Sequence, residues 1–251
     1  MKLLGFIVAA CAGLCLLIAA GDLPRWGDVH ATVHEAESAQ HYTLHTYEET
    51  TVPNLVTAVL ADYRGYDTMF ETVVIFIAGL AIMAIVGMQP GWKTRKAKIH
   101  PEDTEKEDPI IRITCRLLMP LILLFGLYVI AHGHHSPGGG FQGGVIIGAG
   151  VILISLAQEL PHALRGVPPA RMLRLATLGI LIYSGVGLAC LLLGQNFLDY
   201  GILSKVLPLT PEGARSMSML WVEIGVAFTV STSMFAIFAH LASGGRLKDA
   251  L

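Results

Sequence analysis

The segment HGHHSPGGGFQGG, residues 132–144, lies between two long apolar runs and decides how the chain folds on either side of it. Three consecutive glycines at 138–140 do not continue a helix cheaply, and Pro137 has no backbone N–H to donate. We therefore expect one helix to end near His132 and the next to begin near Phe141. A simple tight hairpin between two helices is the alternative, but it leaves three histidines at its mouth unexplained.

The composition on both sides of this hinge is typical of a membrane protein. Hydrophobic residues make up 53% of the 251 residues and charged residues only 14%, which is rare for a soluble domain. A bilayer is crossed by about 20 mostly apolar residues in a helix. Six stretches qualify: Leu3–Ala20, Thr68–Met88, Ile113–Ala131, Phe141–Ala157, Met172–Gly194 and Met219–Leu241. The sequence thus predicts an all-α integral membrane protein with six transmembrane helices.

The 17 lysines and arginines predict how these helices are oriented. If the N-terminus is cytoplasmic, only Arg25, Arg64, Lys205 and Arg215 fall outside, and the other 13 fall inside. Basic residues in short loops favour the cytoplasmic side. We therefore expect a multi-pass protein of the cell membrane with both termini in the cytoplasm and no nucleic-acid partner. A cleaved signal peptide at residues 2–21 is an alternative for the first helix.

Two polar inserts indicate the domain organisation. Residues 21–65 lie outside on the charge argument. Residues 90–109 are dense in charge, carry proline at both ends and are typical of a cytoplasmic linker. The chain is therefore predicted to consist of a two-span unit at 1–89, this linker, and a four-span domain at 110–251.

Four histidines in the first insert raise the possibility of a metal site. His30 and His34, and likewise His41 and His45, are four residues apart, a spacing that can place two imidazoles on one ion. The sequence has no His-Glu-x-x-His motif and no Cys-x-x-Cys pair to support such a site. We expect no metal and no cofactor, and a membrane metal or redox protein that uses these histidines is an alternative.

Ionisable side chains inside a membrane helix are costly, so each is a candidate functional residue. The topology gathers them in the outer half of the bilayer: Arg64, Asp67, Glu71, His132, His134, His135 and Glu223. Carboxylates and histidines relay protons, and carboxylates also bind small cations. A helix cap at Asp67, helix-end carboxylates at the water boundary and a solvated histidine loop are the alternatives. Asp62, Asp199 and Glu212 are expected to be solvated.

Two shorter patterns predict local packing. Apolar residues at 55, 56, 59 and 60 form one helical stripe within Pro53–Tyr63, which we expect to lie on the outer membrane surface or on a partner. Glycines at 140, 144 and 148 form a small-residue face that lets another helix approach closely.

The hinge motif GHxxPGGGFxGG, residues 133–144, closely resembles the signature of the B subunit of Mrp-type sodium/proton antiporters. The same domain recurs in energy-converting membrane-bound hydrogenases and related sulfur-reducing complexes, and the resemblance covers about residues 110–242. The segment Tyr47–Glu71 is similar to the C-terminal part of the large A subunit, which is a separate small E-type subunit in hydrogenases. The chain thus resembles two usually adjacent subunits that are fused through the linker.

This resemblance implies an accessory membrane subunit of a multi-subunit cation/proton antiporter module, either Mrp-type or part of a redox complex. It implies a non-catalytic transport subunit that contributes to the ion path. The implied partners are large complex I-like proton-channel subunits, small C-, D-, F- and G-type subunits, membrane lipid, sodium and protons. The implied ion-path residues are Asp67, Glu71, His134, Pro137, Phe141 and Glu223, with Arg64, His132 and His135 secondary. A purely structural scaffold is the competing hypothesis.

Overall fold

The computed structural model describes residues 2–87, 109–158 and 160–244, without the side chains of 161 and 162. Within these ranges the chain is helical and contains no strand, which confirms the predicted fold class. The α-helices in chain order are α1 Lys2–Ala20, α2 Thr32–Glu35, α3 Glu37–Thr50, α4 Leu55–Ala58, α5 Gly65–Gly87, α6 Pro109–Ala131, α7 Gly140–Ala157, α8 Leu160–Gly166, α9 Pro169–Leu192 and α10 Pro211–Ala242. Helices α1, α5, α6, α7, α9 and α10 are long and apolar enough to cross a membrane.

These six helices correspond to the six predicted spans, but four of them begin three or more residues before the apolar stretches do. Helix α5 begins at Gly65, and α6, α9 and α10 begin at prolines 109, 169 and 211. Proline fits the first turn of a helix because its missing N–H has no intrahelical partner there. The helices therefore extend past the hydrocarbon core, and the 32 residues of α10 span about 48 Å. Met88 and most of the predicted linker lie outside the described residues.

The chain divides into two compact units, Met1–His45 and Thr46–Leu251. In the first unit, α1 buries none of its described residues, as expected for an apolar helix that is covered by lipid or by another subunit. The His41 and His45 rings of α3 lie 5.2 Å apart.

Helix α10 is the central element of the second unit. It packs against α5, α7 and α9, and α6 packs against α7. Its buried face contributes Met219 and Val222 to one core cluster, in which Tyr183 of α9 is almost completely buried, and Phe235 to a second cluster. Because α5, α7 and α9 all pack against this one helix, α10 fixes their positions relative to one another.

The glycine face predicted on α7 is its contact surface with α10. The residues opposite it on α10 have the same spacing of four: Glu223, Ala227 and Ser231. A side chain at Gly140 would overlap the backbone carbonyl of Glu223, and a Cβ at Gly144 would lie 3.0 Å from the Cα of Ala227. The predicted close approach is confirmed, and it brings the backbone of α10 directly against the hinge.

The hinge ends one helix and starts the next where the sequence predicts. Helix α6 ends at Ala131 and α7 begins at Gly140. Gly139 has φ of +134° and ψ of −176°, a conformation that essentially only glycine adopts, so the turn into α7 depends on this residue. The Gly139 N–H donates to the carbonyl of Val129, 3.2 Å away, which folds the hinge back onto α6.

The Pro53–Tyr63 segment is helical, as its apolar stripe predicts, but its second half is a π-helical turn at Val59–Tyr63. Tyr200 donates to the carbonyl of Ala61 at 3.0 Å, which ties this turn to the segment before α10. The prediction that Asp62 is solvated is wrong. Arg215 of α10 donates to Asp62 at 2.7 Å, and the Asp62 side chain is only 5% exposed.

Candidate ion site

A small cavity of about 40 Å³ lies where the hinge meets α10. Its wall includes Thr57 before the π-turn, Phe141 at the start of α7, Tyr183 of α9 and Glu223 of α10. One water needs about 10–15 Å³ of such volume. The cavity therefore has room for a few waters, or for a small cation that keeps part of its hydration shell.

Glu223 contributes a carboxylate to the wall of this cavity. The residue is 7% exposed, and its Oε2 atom is fully buried without a hydrogen-bond partner among the described residues. Buried polar atoms in proteins are nearly always paired, since an unpaired one costs free energy. A buried and unpaired carboxylate oxygen inside a membrane protein is therefore a strong indication of a functional group.

His134 approaches this carboxylate from the hinge. Its Nε2 lies 2.9 Å from the backbone carbonyl of Ser216, and its Nδ1 lies 3.9 Å from Oε2 of Glu223. A carbonyl can only accept, so Nε2 carries the hydrogen and Nδ1 of the neutral ring is an acceptor. Burial lowers the pKa of His134 below its ordinary value of 6.5, while the bond to the Ser216 carbonyl acts in the opposite direction. Two acceptors, Nδ1 and Oε2, thus face each other.

Hinge glycines leave the space that the Glu223 carboxylate occupies. A Cβ on Gly139 would lie 2.8 Å from Oε1, and a Cβ on Gly133 would lie 3.3 Å from Oε2. Side chains at these two positions would displace the carboxylate or close the cavity.

A second cavity of about 290 Å³ borders His134. Its wall includes Thr51, His134, His135 and Ser216. His134 is therefore placed between this larger cavity, which we name the vestibule, and the Glu223 carboxylate.

The remaining hinge candidates surround this arrangement. Phe141 lines the small cavity, whereas Pro137 is exposed at the turn. The half-buried ring of His132 stacks on Tyr128 with the centroids 4.9 Å apart, and His135 is exposed. The structure thus brings Glu223, His134 and Phe141 together and leaves the other hinge candidates around them.

The candidates on α5 lie elsewhere. Asp67 and Glu71 are both exposed, and Arg64 Nε donates to Asp67 Oδ2 at 2.7 Å. The inward face of α5 carries Thr68, which lines the small cavity, and the almost fully buried Thr72. The structure does not place the α5 carboxylates in the wall of the cavity.

Several groups that complete the site carry no recognisable sequence signal. Ser216 contributes a backbone carbonyl, which every residue has. Thr57 and Tyr183 reach the cavity from elements that are far from the hinge in sequence. The spacing between them and residues 132–144 follows no motif, so only the tertiary structure identifies them.

A protein-family model matches half of the chain. Residues 110–236 match the family described as a domain related to the MnhB subunit of Na+/H+ antiporter. Over 143 residues the chain is 32% identical to a protein named antiporter subunit mnhB2 from Staphylococcus aureus strain Newman. This alignment covers 57% of the present chain and 99% of that protein.

Two solved structures are similar over nearly the whole chain. One is a chain of the membrane-bound sulfane sulfur reductase, an archaeal respiratory membrane complex. It has a TM-score of 0.68 and 28% identity, and the match covers 96% of this chain and 97% of that one. The other is a chain of the Mrp complex from Dietzia sp. DQ12-45-1b. It has a TM-score of 0.69 and 26% identity, and the match covers 94% of this chain and 26% of that one.

Proposed function

The chain belongs to the family of domains related to the MnhB subunit of Na+/H+ antiporters, and from this premise we propose that it carries part of the ion path. It is an accessory subunit of a multi-subunit, cation/proton antiporter-like membrane complex. The proposal concerns which of its residues the translocated ion meets.

The opposed acceptors at the hinge carry this proposal. Nδ1 of His134 and Oε2 of Glu223 lie 3.9 Å apart, and the buried Oε2 has no hydrogen-bond partner among the described residues. A proton or a small cation between them would satisfy both atoms and would neutralise a buried carboxylate. Glu223 is the binding group in this proposal, and His134 is the group through which the ion reaches it from the vestibule.

The other candidate residues take supporting roles in the proposed path. Phe141 and Pro137 shape the passage, one at the cavity and one at the turn. Asp67 and Glu71 continue the path on the exposed face of α5, where another subunit covers them. Arg64, His132 and His135 surround its outer mouth.

The proposed assembly is based on the resemblance of the two parts of the chain to two subunits of Mrp antiporters. Residues 1–89 act as the segment similar to the end of the Mrp A subunit, and 110–251 act as the B-type domain. The partners are large complex I-like proton-channel subunits and small C-, D-, F- and G-type subunits in the cell membrane, and both termini are cytoplasmic. The match of one Dietzia Mrp chain to 94% of this chain supports such a continuous arrangement.

The test is sodium-dependent proton exchange in membrane vesicles that contain the intact complex. Glu223→Gln keeps the shape of the side chain and removes its charge, so we expect exchange to be lost while the complex is recovered in full. Glu212→Gln, in the first turn of the same helix, is the matched control and should keep wild-type exchange. Wild-type exchange by an intact Glu223→Gln complex would contradict the proposal.

The α5 carboxylates support a second candidate function, that of a scaffold. An exposed carboxylate on a membrane helix is costly against lipid, which favours its burial under another subunit. In this role Glu71→Gln releases a partner subunit, and the composition of the purified complex reports the loss.

A further inference from the structure

The backbone of the hinge is held by a residue almost 80 positions earlier in the sequence. The side-chain amide of Asn54, just before α4, donates from Nδ2 to the carbonyl of Gly133 at 2.7 Å and to that of Ser136 at 2.7 Å. The backbone N–H of Asn54 donates to the carbonyl of His134 at 3.1 Å. Three hinge carbonyls therefore accept hydrogen bonds from one residue.

Thr57 completes this set of contacts, which we name the clamp. Its hydroxyl donates to the carbonyl of Gly133 at 2.8 Å, and the residue is 3% exposed. Non-helical backbone at membrane depth is tolerated only where protein or water satisfies its polar groups. The clamp supplies donors to a glycine-rich segment that forms few regular helical bonds of its own.

The chemistry of the contacts defines the orientation of the Asn54 amide. Carbonyl oxygens can only accept, so the NH₂ group must face Gly133 and Ser136. Its Oδ1 then accepts from the N–H of Val56 at 3.1 Å, which caps α4. Asn54 thus has two separable tasks, because the cap uses only its oxygen and the clamp uses only its N–H groups.

The clamped carbonyls flank the ring that faces Glu223. His134 lies between Gly133 and Ser136, and a Cβ on Gly133 would lie 3.3 Å from Oε2 of Glu223. Movement of this backbone would change the separation between His134 Nδ1 and the carboxylate, which is 3.9 Å. We propose that Asn54, assisted by Thr57, is a positioning residue that sets the distance between His134 and Glu223. The proposal rests on the proposed function only for its effect on ion exchange.

Asn54→Asp separates the clamp from the cap. Aspartate keeps the size of the side chain and the capping oxygen, but it places a carboxylate oxygen against two carbonyls in place of N–H donors. The matched control is Asn196→Asp, the same chemical change at an exposed position.

The first measurement does not depend on transport. Diethyl pyrocarbonate modifies accessible neutral imidazoles, and mass spectrometry quantifies His134 and His135 separately in the intact complex. Buried His134 should react slowly relative to exposed His135. In Asn54→Asp we expect the ratio of His134 to His135 modification to rise severalfold, and in Asn196→Asp to stay at the wild-type value. An unchanged ratio in Asn54→Asp would overturn the clamp.

The second measurement is a double-mutant cycle on exchange. Asn54→Asp should slow exchange about tenfold, the size expected when buried carbonyls lose their donors. If Asn54 acts through His134, adding Asn54→Asp to His134→Gln should cause no further loss, whereas independent action would multiply the two losses. A multiplied loss would overturn the positioning role. Normal exchange in Glu223→Gln would instead refute the proposed function. The ratio of His134 to His135 modification would still test whether Asn54 holds the hinge.

Thr57→Val provides a milder variant if the Asn54→Asp complex does not assemble. It removes the hydroxyl that donates to Gly133 and accepts from Asn54 Nδ2 at 2.9 Å, and it keeps the branched shape of the side chain. We expect the same rise in the modification ratio, but a smaller one. An assembled Thr57→Val complex with an unchanged ratio would overturn the proposal.

Discussion

Two groups of carboxylates at membrane helices of this chain have opposite surroundings. Glu223 of α10 is buried beneath the hinge, and its Oε2 atom has no hydrogen-bond partner among the described residues. Asp67 and Glu71 of α5 are exposed, and Asp67 is paired with Arg64. The three carboxylates have the same chemistry, so the difference comes from what packs around them.

This difference indicates which carboxylate can bind an ion without a contribution from another subunit. A buried site excludes bulk water, strengthens electrostatic interactions and holds its ligand atoms in place. The α5 carboxylates reach comparable surroundings only if another subunit covers them. The predicted effects of mutation therefore separate the two groups.

The largest effect is expected where α7 contacts α10. Gly140→Leu would place a side chain into the backbone carbonyl of Glu223 and push the helices apart. Overpacking of this kind costs about 3 kcal/mol or more when backbone must move. We expect little assembled complex on size-exclusion chromatography. Gly185→Leu is the control, because a Cβ there meets no atom within 4 Å. Equal recovery of both variants would contradict the close packing.

The next largest effect is expected on ion exchange, and it differs between Glu71→Gln and Glu223→Gln. We expect Glu71→Gln to reduce exchange without abolishing it, because its site depends on a neighbouring subunit, whereas Glu223→Gln abolishes exchange. Vesicle exchange and subunit composition are measured on the same preparations. Complete loss in an intact Glu71→Gln complex would show that the exposed carboxylate is as essential as the buried one.

A smaller effect is expected in the pH dependence of stability. The pKa of buried His134 lies below its ordinary value of 6.5. As the pH falls from 6.5 towards that lowered pKa, the unfolded chain binds a proton that the folded chain does not, so folding stability falls by up to about 1.4 kcal/mol per pH unit.

Thermal unfolding of the solubilised complex between pH 7.5 and 5.5 tests whether stability falls as the pH falls. We expect His134→Gln to lose less stability than wild type as the pH falls. Asn196→Gln, a change at an exposed position that removes no titratable group, should keep the wild-type trend. A His134→Gln complex with the wild-type pH dependence would indicate that His134 does not resist protonation in the folded chain.

The smallest effect is expected at the Arg64–Asp67 pair. Both side chains are more than half exposed, and exposed ion pairs contribute about 0–1 kcal/mol. Asp67→Asn should therefore leave the unfolding temperature of this subunit, purified without its partners, nearly unchanged. A large destabilisation would mean that the pair stabilises the chain more than its exposure predicts.

Much of the architecture can be predicted from local patterns in the sequence. Apolar length predicts the six membrane helices, because a bilayer requires about 20 apolar residues for each crossing. Gly138 to Gly140 predict the break between α6 and α7, and the spacing of glycines at 140, 144 and 148 predicts a close helix contact. These features depend on residues that are near one another in the chain.

The site itself was decided by tertiary structure. The sequence indicates Glu223, Glu71 and Asp67 equally as costly membrane carboxylates, and only the packing of α10 buries one of them. The sequence also gives no sign that Asp62 meets Arg215 or that Asn54 holds the hinge. Helix periodicity determines which side of a helix is apolar, but burial and hydrogen bonding depend on which distant segments meet, and that depends on the packing of the whole unit.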